Sequence, residues 1–463
     1  MADTATADTD VVVIGGGAGG LMAATHAARR GARVTLVADG PLGGDCTHTG
    51  CVPSKTLIAA AAAGRSFADA MAEIRSVVDR IAASEDEATL ARAGVEVVRG
   101  RGELTAPGRV LVDGRELRTR HVILSTGATA AIPPVPGLES IGALTNETVF
   151  GLDQLPRRLA VIGGGAIGCE LAQAYARLGS AVTIVDLADR VLPLEDPDVS
   201  AVVAQSLTDD GIELRLGAKL AGAEHGGSGR GLRLADGREI RADEIVVAAG
   251  RRPVSAGLGL EEVGVALDRG GRIIVDDTCA TSVGGVWAVG DVTQLGGFTH
   301  VAAHMGLVAA ANATKTSRLR PAQKVDRRVV PRVTFTDPEV AQVGLTEAEA
   351  AAADRGAKVA VLPLDRVDRA LTSGRTAGFV KLIAGPRRGL GWVGGGQVLG
   401  ATIVAPAAGE LISEVALAMK ARVFTGRLAQ TTHPYPSWSM AIQQAASQFF
   451  FATDGLEARP ARL

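Results

Sequence analysis

A glycine-rich pattern that occurs twice in the chain constrains its fold more than any other feature. The first copy spans residues 11–37 and reads VVVIGGGAGG, then a helix-like segment, then RVTLV. Short apolar runs of this kind are typical of buried parallel strands. The order strand, glycine turn, helix, strand predicts a dinucleotide-binding unit, in which Gly15, Gly17 and Gly20 let a pyrophosphate approach the helix N-terminus.

The second copy spans residues 159–186 and reads LAVIGGGAIG, a helix-like segment and VTIVD. Gly163, Gly165 and Gly168 occupy the places of the three glycines of the first copy. The copy ends in Asp186, at the spacing expected for a carboxylate that binds a ribose hydroxyl. Either copy alone could be a glycine turn used only for packing, but the two together predict two bound dinucleotides.

Two cysteines stand close together after the first copy, in the segment GGDCTHTGCVPSK at residues 43–55. An ideal helix would separate Cys46 from Cys51 by ~7.5 Å along its axis, which exceeds the ~7 Å between Cα atoms that a disulfide tolerates. If the two bond, the segment between them must be bent, and Pro53 suits the first position of a helix that continues from Ser54. Two unpaired buried cysteines are the alternative. Two of the four cysteines of the chain fall here, which favours a redox pair.

Length and composition limit the classes of protein to which the chain can belong. Its 463 residues, 47% of them hydrophobic, and its net charge of −2 indicate a soluble globular protein of about two to four domains. The charge predicts neither nucleic acid nor an anionic membrane as a partner. We expect residues 1–8 to be disordered, with no signal peptide, and no run of about 18 apolar residues predicts a membrane span. One close cysteine pair is more typical of a catalytic protein of the cytoplasm than of a secreted disulfide scaffold.

The remaining segments complete a coarse map of the chain. Residues 132–137, IPPVPG, are predicted to be a stiff connector between domains, and the pattern changes character from Pro331 onward. Helices are predicted at residues 21–30, 66–92, 347–354 and 411–419, further strands at 121–124, 244–248, 286–289 and 332–335, short strands within 95–112, and a glycine-rich hairpin near 389–400.

In order, these segments resemble the flavin-dependent pyridine nucleotide–disulfide oxidoreductases, the family of dihydrolipoamide dehydrogenase, glutathione reductase and mercuric reductase. The resemblance covers nearly the whole chain, and the cysteine segment is its most specific part. The matching segments are the two glycine loops, residues 43–55, AGRRP at 249–253, VGD at 289–291, FTDPEV at 335–340 and HPYP at 433–436.

The resemblance implies an α/β fold with two Rossmann-like dinucleotide-binding domains and an α+β C-terminal dimerisation domain. The implied division is an FAD-binding domain at residues 9–153 with a second, central part at 277–325, an NAD(P)-binding domain at 154–276 and an interface domain at 326–463. The first glycine loop would bind FAD and the second a nicotinamide nucleotide, and the chain would form a homodimer.

The resemblance also implies a chemistry. Hydride would pass from NAD(P)H to FAD, and electrons would then pass to a Cys46–Cys51 disulfide. Cys51, nearer the flavin, would be the thiolate in charge-transfer contact with it. Cys46 would attack a small-molecule disulfide substrate, and Cys51 would resolve the mixed disulfide. Thiolates, not thiols, perform such exchange.

Further residues match family positions near the cofactors. Lys55 and Glu170 match an ion pair beside the flavin, which would tune it electrostatically, although either residue alone would normally be a solvated charge. Asp291 matches a contact to the flavin ribityl chain, against the alternative of a simple turn aspartate. The other matching positions are Gly44, Thr126, Gly127 and Gly250.

Asp186 predicts the choice of nicotinamide cofactor. A carboxylate at this place accepts a hydrogen bond from a free 2′-hydroxyl and repels a 2′-phosphate. No arginine replaces it, although Arg190 lies just beyond. NADH is therefore predicted over NADPH.

Three positions around the predicted flavin and thiols depart from the family pattern. Ala38 stands where the family has a glutamate, so the FAD ribose contact is absent or displaced to Asp39. Asp45 and His48 stand where threonine and asparagine are more common. His48 could stabilise a thiolate or be a polar turn residue.

A further departure concerns the catalytic acid–base residue. Aligned on Pro436, Tyr435 and Met440 replace the histidine and glutamate that the other subunit supplies in the family's disulfide reductases. Mercuric reductase carries a tyrosine at the place of Tyr435. His433 lies two positions earlier, so both side chains would point the same way in an extended segment. Histidine titrates near neutrality, as a proton carrier should, and a purely structural His433 is the alternative.

Three functions remain open. The first is NADH-dependent reduction of a small disulfide, of the dihydrolipoamide dehydrogenase type. The second is a mercuric-reductase-like metal-ion reductase, which Tyr435 favours, although residues 457–463 hold no cysteine pair and we expect no metal-binding module before residue 10. The third is a flavoprotein redox partner or sensor with weak turnover, which the missing His/Glu pair favours. No resident metal is predicted, and no motif names the substrate.

Overall fold

A computed structural model of the chain describes residues 7–226, 229–317, 319–353, 356–387 and 389–462. Three sets of residues for which predictions were made lie outside the described residues. They are residues 1–6 of the segment predicted to be disordered, the predicted helix end at Asp354, and Leu463 of the cysteine-free tail. Asp8, also predicted to be disordered, is instead held in place, because its N–H donates to the Arg118 carbonyl at 3.0 Å. Within the described ranges, every helix is too short or too polar to span a bilayer.

The helices occur along the whole chain. They are α1 (Ala18–Arg29), α2 (Gly44–His48), α3 (Cys51–Ala62), α4 (Phe67–Ala82), α5 (Glu87–Arg92), α6 (Ala166–Arg177), α7 (Pro197–Asp209), α8 (Leu260–Val263), α9 (Thr299–Ala313), α10 (Glu347–Ala352), α11 (Asp368–Ser373), α12 (Ala408–Lys420), α13 (Thr425–Gln430) and α14 (Met440–Ser447).

The strands include both parallel and antiparallel pairs in the first half of the chain and form an antiparallel sheet near its end. They are β1 (Thr9–Ile14), β2 (Val34–Ala38), β3 (Val95–Arg99), β4 (Gly102–Ala106), β5 (Arg109–Val112), β6 (Arg115–Leu124), β7 (Ala128–Ala130), β8 (Arg158–Ile162), β9 (Ala181–Val185), β10 (Glu213–Arg215), β11 (Leu220–Gly226), β12 (Gly229–Leu234), β13 (Glu239–Ala242), β14 (Glu244–Val247), β15 (Arg251–Pro253), β16 (Val286–Ala288), β17 (Arg332–Thr334), β18 (Glu339–Gly344), β19 (Lys358–Pro363), β20 (Phe379–Gly385), β21 (Gln397–Ala405) and β22 (Arg459–Pro460).

The chain folds into two compact units. The first comprises Met1–Pro133, Leu144–Gln154 and Ala249–Asp326, and the second comprises Pro134–Ala143, Leu155–Ala248 and Arg327–Leu463. Residues 249–276, predicted to belong to the NAD(P)-binding domain, thus lie in the first unit. The predicted four-part division stays a prediction.

The first unit is built on a sheet in the order β3-β2-β1-β6-β5-β4, with β16 also paired to β6. Strands β1, β2, β3, β6 and β16 are parallel where they pair, in a register that sets Val12 against Thr35 and Val122. The run Val11–Ile14 is almost wholly buried, as expected for a parallel strand with both faces covered. The first predicted strand–turn–helix–strand unit is confirmed.

Two helix predictions in the first unit need correction. The helix after the cysteines begins at Cys51 rather than at Ser54. Proline is tolerated there because Pro53 lies in the first helical turn, where a backbone N–H has no partner within the helix. The helix predicted at 66–92 is two helices, α4 and α5, because Asp86 accepts from the Thr89 N–H at 2.7 Å and caps a new start.

The second unit contains a parallel sheet in the order β10-β9-β8-β14, a three-stranded meander β11-β12-β13, and a six-stranded antiparallel sheet in the order β17-β18-β21-β20-β19-β22. A core of aliphatic side chains lies between the antiparallel sheet and helices α12 and α14. The predicted strand at 332–335 and the predicted helix at 411–419 are confirmed by β17 and α12. The predicted hairpin at 389–400 lies at the connection of the antiparallel neighbours β20 and β21.

Candidate active site

The two glycine loops have nearly the same geometry, one in each unit. Gly15 and Gly163 adopt φ of +109° and +112°, a backbone conformation that favours glycine. A Cβ at Gly20 would lie 1.9 Å from the Gly15 carbonyl oxygen, and a Cβ at Gly168 would lie 1.8 Å from the Gly163 carbonyl oxygen. Side chains are therefore excluded at the places where the helix crosses the preceding strand end.

The glycine before each helix leaves the helix N-terminus open. Gly17 and Gly165 precede α1 and α6 in extended conformation, without a side-chain cap among the described residues. A Cβ at either glycine would meet nothing within 4 Å. The first N–H groups of each helix and its positive end can therefore receive an anion. This arrangement fits the pyrophosphate of FAD in the first unit and of a nicotinamide nucleotide in the second.

The residues predicted to hold the two ribose groups differ in how firmly they are placed. Asp186 directly follows β9, and its carboxylate accepts from the N–H groups of Gly164 at 2.5 Å and Ala188 at 2.8 Å. The carboxylate is therefore fixed beside the second glycine loop. Ala38 is the buried end of β2, and Asp39 is exposed to solvent. The contact between Asp39 and the FAD ribose stays a prediction.

The two predicted redox cysteines lie on consecutive short helices of the first unit. Cys46 lies in α2 and Cys51 is the first residue of α3, and the intervening Thr49 and Gly50 leave the helical conformation. The predicted bend between the cysteines is confirmed. Both are present as thiols rather than as a disulfide. The redox turn, residues 43–51, touches the first glycine loop through the N–H of Gly43, which donates to the Gly16 carbonyl at 2.9 Å.

The thiols of Cys46 and Cys51 act on each other. Their hydrogen bond, the burial of Cys46 and the nearby charge of Cys51 raise the pKa of the Cys46 thiol well above its ordinary value. The Cys46 thiol therefore holds its proton tightly, and the Cys51 sulfur is the one that lies at a helix start. The N-terminus of α3 favours a negative charge at that sulfur.

Thr299 is a residue of the site that the sequence analysis missed. It is the first residue of α9, and its hydroxyl oxygen lies 3.5 Å from the Cys51 sulfur. A hydrogen bond from this hydroxyl also lowers the pKa of Cys46, although burial and Cys51 outweigh it. The available signal was a hydroxyl residue shortly after the predicted flavin contact Asp291, which alone would not have identified it.

Other residues predicted to contact the cofactors have structural partners. The Thr126 hydroxyl donates to the Val254 carbonyl at 2.5 Å, and the Gly127 carbonyl accepts from the Val254 N–H at 3.0 Å. The Gly250 carbonyl accepts from the Ala131 N–H at 3.0 Å, beside the pairing of β7 with β15.

Gly44 lies near the first glycine loop, and Asp291 lies near the start of α9. A Cβ on Gly44 would lie 2.8 Å from the Gly17 Cα atom, so the redox turn and the loop approach closely. The Asp291 carboxylate accepts from the Gly297 N–H at 2.8 Å. The cofactor contacts of both residues stay predictions.

Lys55 and Glu170 belong to different units, and the ion pair predicted between them stays a prediction. Lys55 lies in α3, with its Nζ atom 3.4 Å from the Ser54 hydroxyl. Glu170 lies in α6 and is only 5% exposed, and its carboxylate accepts from the Phe335 N–H at 2.8 Å.

His433 forms a pair with a carboxylate that the sequence analysis did not identify. Its Nε2 atom lies 2.9 Å from the Glu414 carboxylate, and its Nδ1 atom lies 2.9 Å from the Thr431 carbonyl oxygen. Both partners accept hydrogen bonds, so an imidazolium satisfies both contacts. Glu414 lies on α12, and no local pattern connects it with His433.

Tyr435 and His433 contact different helices, and the expectation that both side chains would point the same way in an extended segment stays a prediction. The Tyr435 side chain is 70% exposed. A hydrogen bond to the Asp368 carboxylate on α11 raises the pKa of its phenol. His48, the other residue with two predicted roles, places its Nε2 atom 2.8 Å from the Leu42 carbonyl oxygen, as a turn residue would.

No group of three or more His, Cys, Asp or Glu side chains is placed to hold a metal ion within the part of the chain that the structure describes.

Comparisons with known proteins agree with this arrangement. The family described as pyridine nucleotide-disulphide oxidoreductase matches residues 9–306, and the dimerisation domain of the same family matches residues 330–446. The dimerisation domain supports a homodimer.

Individual relatives match over nearly the whole chain. Mercuric reductase of Bacillus cereus is 33% identical over 96% of this chain and 72% of its own length. Dihydrolipoyl dehydrogenase of Thermus scotoductus is 36% identical over 94% of this chain and 96% of its own length. The HOCl-induced flavoprotein disulfide reductase of Escherichia coli, solved as a Cu(II) complex, is 28% identical with a TM-score of 0.86, covering 94% of this chain and 98% of that one.

The glycine loops, the redox turn and the C-terminal sheet thus agree with the matched sequences. The chain belongs to the pyridine nucleotide–disulphide oxidoreductase family and is an FAD-dependent oxidoreductase that uses a pyridine nucleotide.

Proposed function

We propose that the protein is an NADH-dependent reductase of a small disulfide, of the dihydrolipoamide dehydrogenase type, with Cys46 and Cys51 as its redox pair. The observation that supports this most directly is the placement of the two cysteines, with Cys46 in α2, Cys51 at the start of α3, and the turn that carries them in contact with the first glycine loop. FAD, when bound, would serve as the carrier that accepts hydride from NADH and passes two electrons to sulfur. A single redox pair, rather than structural disulfides, also favours the cytoplasm.

The thiols carry out the second half of the reaction. Cys46 loses its proton and attacks one sulfur of the substrate, which forms a mixed disulfide and releases the other substrate sulfur as a thiolate that takes up a proton. The Cys51 thiolate, having lost its proton, then attacks the Cys46 sulfur, and the second substrate sulfur leaves as a thiolate that takes up that proton. The protein dithiol loses two electrons and becomes a disulfide, and the substrate gains them as two thiols.

His433 and Glu414 supply the proton transfers in this proposal. The raised pKa of Cys46 means that a base must take its proton before it can attack. A histidine that is hydrogen-bonded to a carboxylate has the fixed orientation that a proton carrier needs. In the family the other subunit supplies the histidine that aligns with Tyr435, two positions after His433, so the proposal requires the homodimer.

The choice of NADH rests on the Asp186 carboxylate. The N–H groups of Gly164 and Ala188 hold it beside the second glycine loop. In that place it would accept from a free 2′-hydroxyl and repel a 2′-phosphate. We expect kcat/KM for NADH to exceed that for NADPH when either is the sole donor, and a larger value for NADPH would contradict this assignment.

Substitution of the two thiols tests the function. We expect Cys46→Ser to lower NADH-dependent disulfide turnover by about 10³-fold or more while anaerobic NADH still bleaches the flavin. Cys51→Ser should remove the long-wavelength absorbance that a thiolate beside flavin produces. Cys279→Ala, at a buried cysteine away from the redox turn, is the control and should keep turnover. Unchanged disulfide turnover in Cys46→Ser would defeat the assignment.

Reduction of a metal ion is the second candidate function. The exposed phenol of Tyr435 favours it, as do relatives named mercuric reductase and a similar structure solved as a Cu(II) complex. NADH oxidation by the purified protein should be compared with lipoamide, glutathione disulfide, Hg(II), Cu(II) and a quinone as acceptors. Turnover with a metal ion alone would favour this candidate. Flavin reduction without turnover of any acceptor would favour a redox partner or sensor.

A further inference from the structure

The Asp45 carboxylate joins the two ends of the redox turn. Asp45 directly precedes Cys46 in α2, and one of its oxygens accepts from the Thr49 hydroxyl, at the point where α2 ends. The same oxygen accepts from the Nδ2 group of the buried Asn146 at 3.3 Å, which also donates to the Thr49 carbonyl at 3.4 Å. Since Thr49 lies just before the start of α3, these bonds fix the path of the chain from one cysteine to the other.

Arg251 anchors this carboxylate to the rest of the first unit. Its Nη2 group contacts the second oxygen of Asp45 at 2.5 Å and donates to the Ala128 carbonyl at 2.5 Å. Its buried Nε atom lies 3.8 Å from Asp291 and has no hydrogen-bond partner among the described residues. The guanidinium is therefore held by the β7–β15 pair and holds Asp45 in turn.

A carboxylate beside a thiol pair is unfavourable unless it is paired. An unpaired Asp45 would oppose the thiolate that the exchange reaction needs, and its burial would cost free energy. The ion pair with Arg251 offsets both the repulsion of the thiolate and the free-energy cost of burying the carboxylate. At this position the family more commonly carries threonine, which cannot form an ion pair.

We propose that Asp45 and Arg251 are positioning residues for the redox pair. They hold the path of the turn from Cys46 in α2 to Cys51 at the start of α3, and this path decides how readily the two sulfurs close to a disulfide. This inference rests on the proposed function, because it takes the two cysteines to be the reactive pair.

The thiol–disulfide equilibrium of the pair tests the proposal. The purified holoenzyme is equilibrated anaerobically with reduced and oxidised glutathione, without NADH, then quenched with acid and alkylated. The Cys46–Cys51 disulfide is counted by mass spectrometry. In this exchange glutathione disulfide gains two electrons and yields two thiols, while the protein dithiol loses two and forms its S–S bond.

We expect Asp45→Ala to lower the equilibrium constant for disulfide formation by about tenfold, or ~30 mV. Removing a negative charge would also favour the thiolates, so a charge-conserving variant must separate the two effects. Arg251→Lys keeps the charge and loses the forked geometry. We expect it to shift the constant in the same direction, and the double variant to shift it no further than Asp45→Ala alone.

Glu116→Ala is the matched control, because it removes a carboxylate from exposed ion pairs with Arg109 and Arg118 in the same unit. It should leave the constant unchanged. If Asp45→Ala does not fold, Asp45→Asn replaces it, with a shift of about threefold or more expected. An unchanged constant in Arg251→Lys, or in both Asp45 variants, would overturn the proposal.

The two proposals fail separately. If the wild-type protein reduces no disulfide but the Asp45 and Arg251 variants shift the equilibrium, the proposed function fails and the positioning role stands. If Cys46→Ser abolishes disulfide turnover but the equilibrium is the same in all variants, the positioning role alone fails.

Discussion

At the scale of single residues, the two thiols of the redox pair lie in different environments and are suited to different steps of the exchange reaction. The hydrogen bond that the Cys46 thiol donates to Cys51 comes first among the causes that raise the pKa of Cys46, and burial comes second. Cys51 also lies at a helix start, with the Thr299 hydroxyl 3.5 Å from its sulfur. Cys51 is therefore suited to hold a negative charge, whereas Cys46 stays protonated until a base removes its proton.

That requirement gives the contact between His433 and Glu414 a measurable consequence. We expect Glu414→Gln to lower kcat for disulfide reduction by about 10- to 100-fold, because it removes the carboxylate that orients the imidazole of His433. Flavin reduction by NADH should be unchanged. Stopped-flow measurement of the two half-reactions separates the effects.

Glu410→Gln is the matched control for this variant, since Glu410 is an exposed carboxylate on the same helix, α12. It should leave both half-reactions unchanged. Equal losses in the Glu410 and Glu414 variants, or an unchanged rate in Glu414→Gln, would show that His433 is structural.

At the scale of secondary-structure elements, sequence patterns correctly predicted those strands and helices that depend on interactions between neighbouring residues. The apolar run of β1 and the following glycines predicted strand, turn and helix α1, since these depend on neighbouring residues. The start of α3 was predicted too late, because proline marks a helix N-terminus only to within its first turn. The interruption between α4 and α5 depends on one capping aspartate, Asp86, within a continuous helical pattern.

The partners of the candidate site could not be predicted in the same way. Thr299, Arg251 and Glu414 reach their partners from distant parts of the sequence, at separations of 248, 206 and 19 residues. No periodicity or spacing connects such residues, because tertiary packing brings them together. The motifs therefore identified the cysteines and the glycine loops but not the side chains that surround them.

At the scale of the whole molecule, the second unit contains a buried cluster of charged side chains. The cluster connects helix α7 with the antiparallel sheet and with helix α10. Lys381 of β20 is 1% exposed, and its Nζ atom lies 3.0 Å from Asp196, 2.7 Å from Asp198 and 3.3 Å from Glu347. Arg459 of β22 also pairs with Glu347. The cluster thus ties the start of α7 to the C-terminal sheet and to α10.

The pKa values in the cluster show that its charges depend on one another. Burial alone would lower the pKa of Lys381, but its bonds to Asp198 and Asp196 outweigh burial and raise it. Burial alone would raise the pKa of Glu347, but Arg459 and Lys381 outweigh burial and lower it. A lowered carboxyl pKa stabilises the fold fully above the unfolded-state pKa, and this stabilisation is lost as pH falls through the folded-state value.

Removal of Lys381 should therefore destabilise the protein in a pH-dependent way. We expect Lys381→Met to lower the free energy of unfolding by about 3–5 kcal/mol at pH 7, because it removes a cation from the buried carboxylates of Asp196 and Glu347 and leaves Glu347 with Arg459. The loss should shrink as pH falls, because protonation of the buried carboxyls removes the uncompensated charge in the variant, whereas in the wild type it removes the attraction that lowers the pKa of Glu347. Urea-unfolding midpoints at several pH values measure this, with Lys219→Met, at an exposed lysine of the same unit, as the control. A loss that is independent of pH, or equal in the two variants, would contradict an electrostatic role for the cluster.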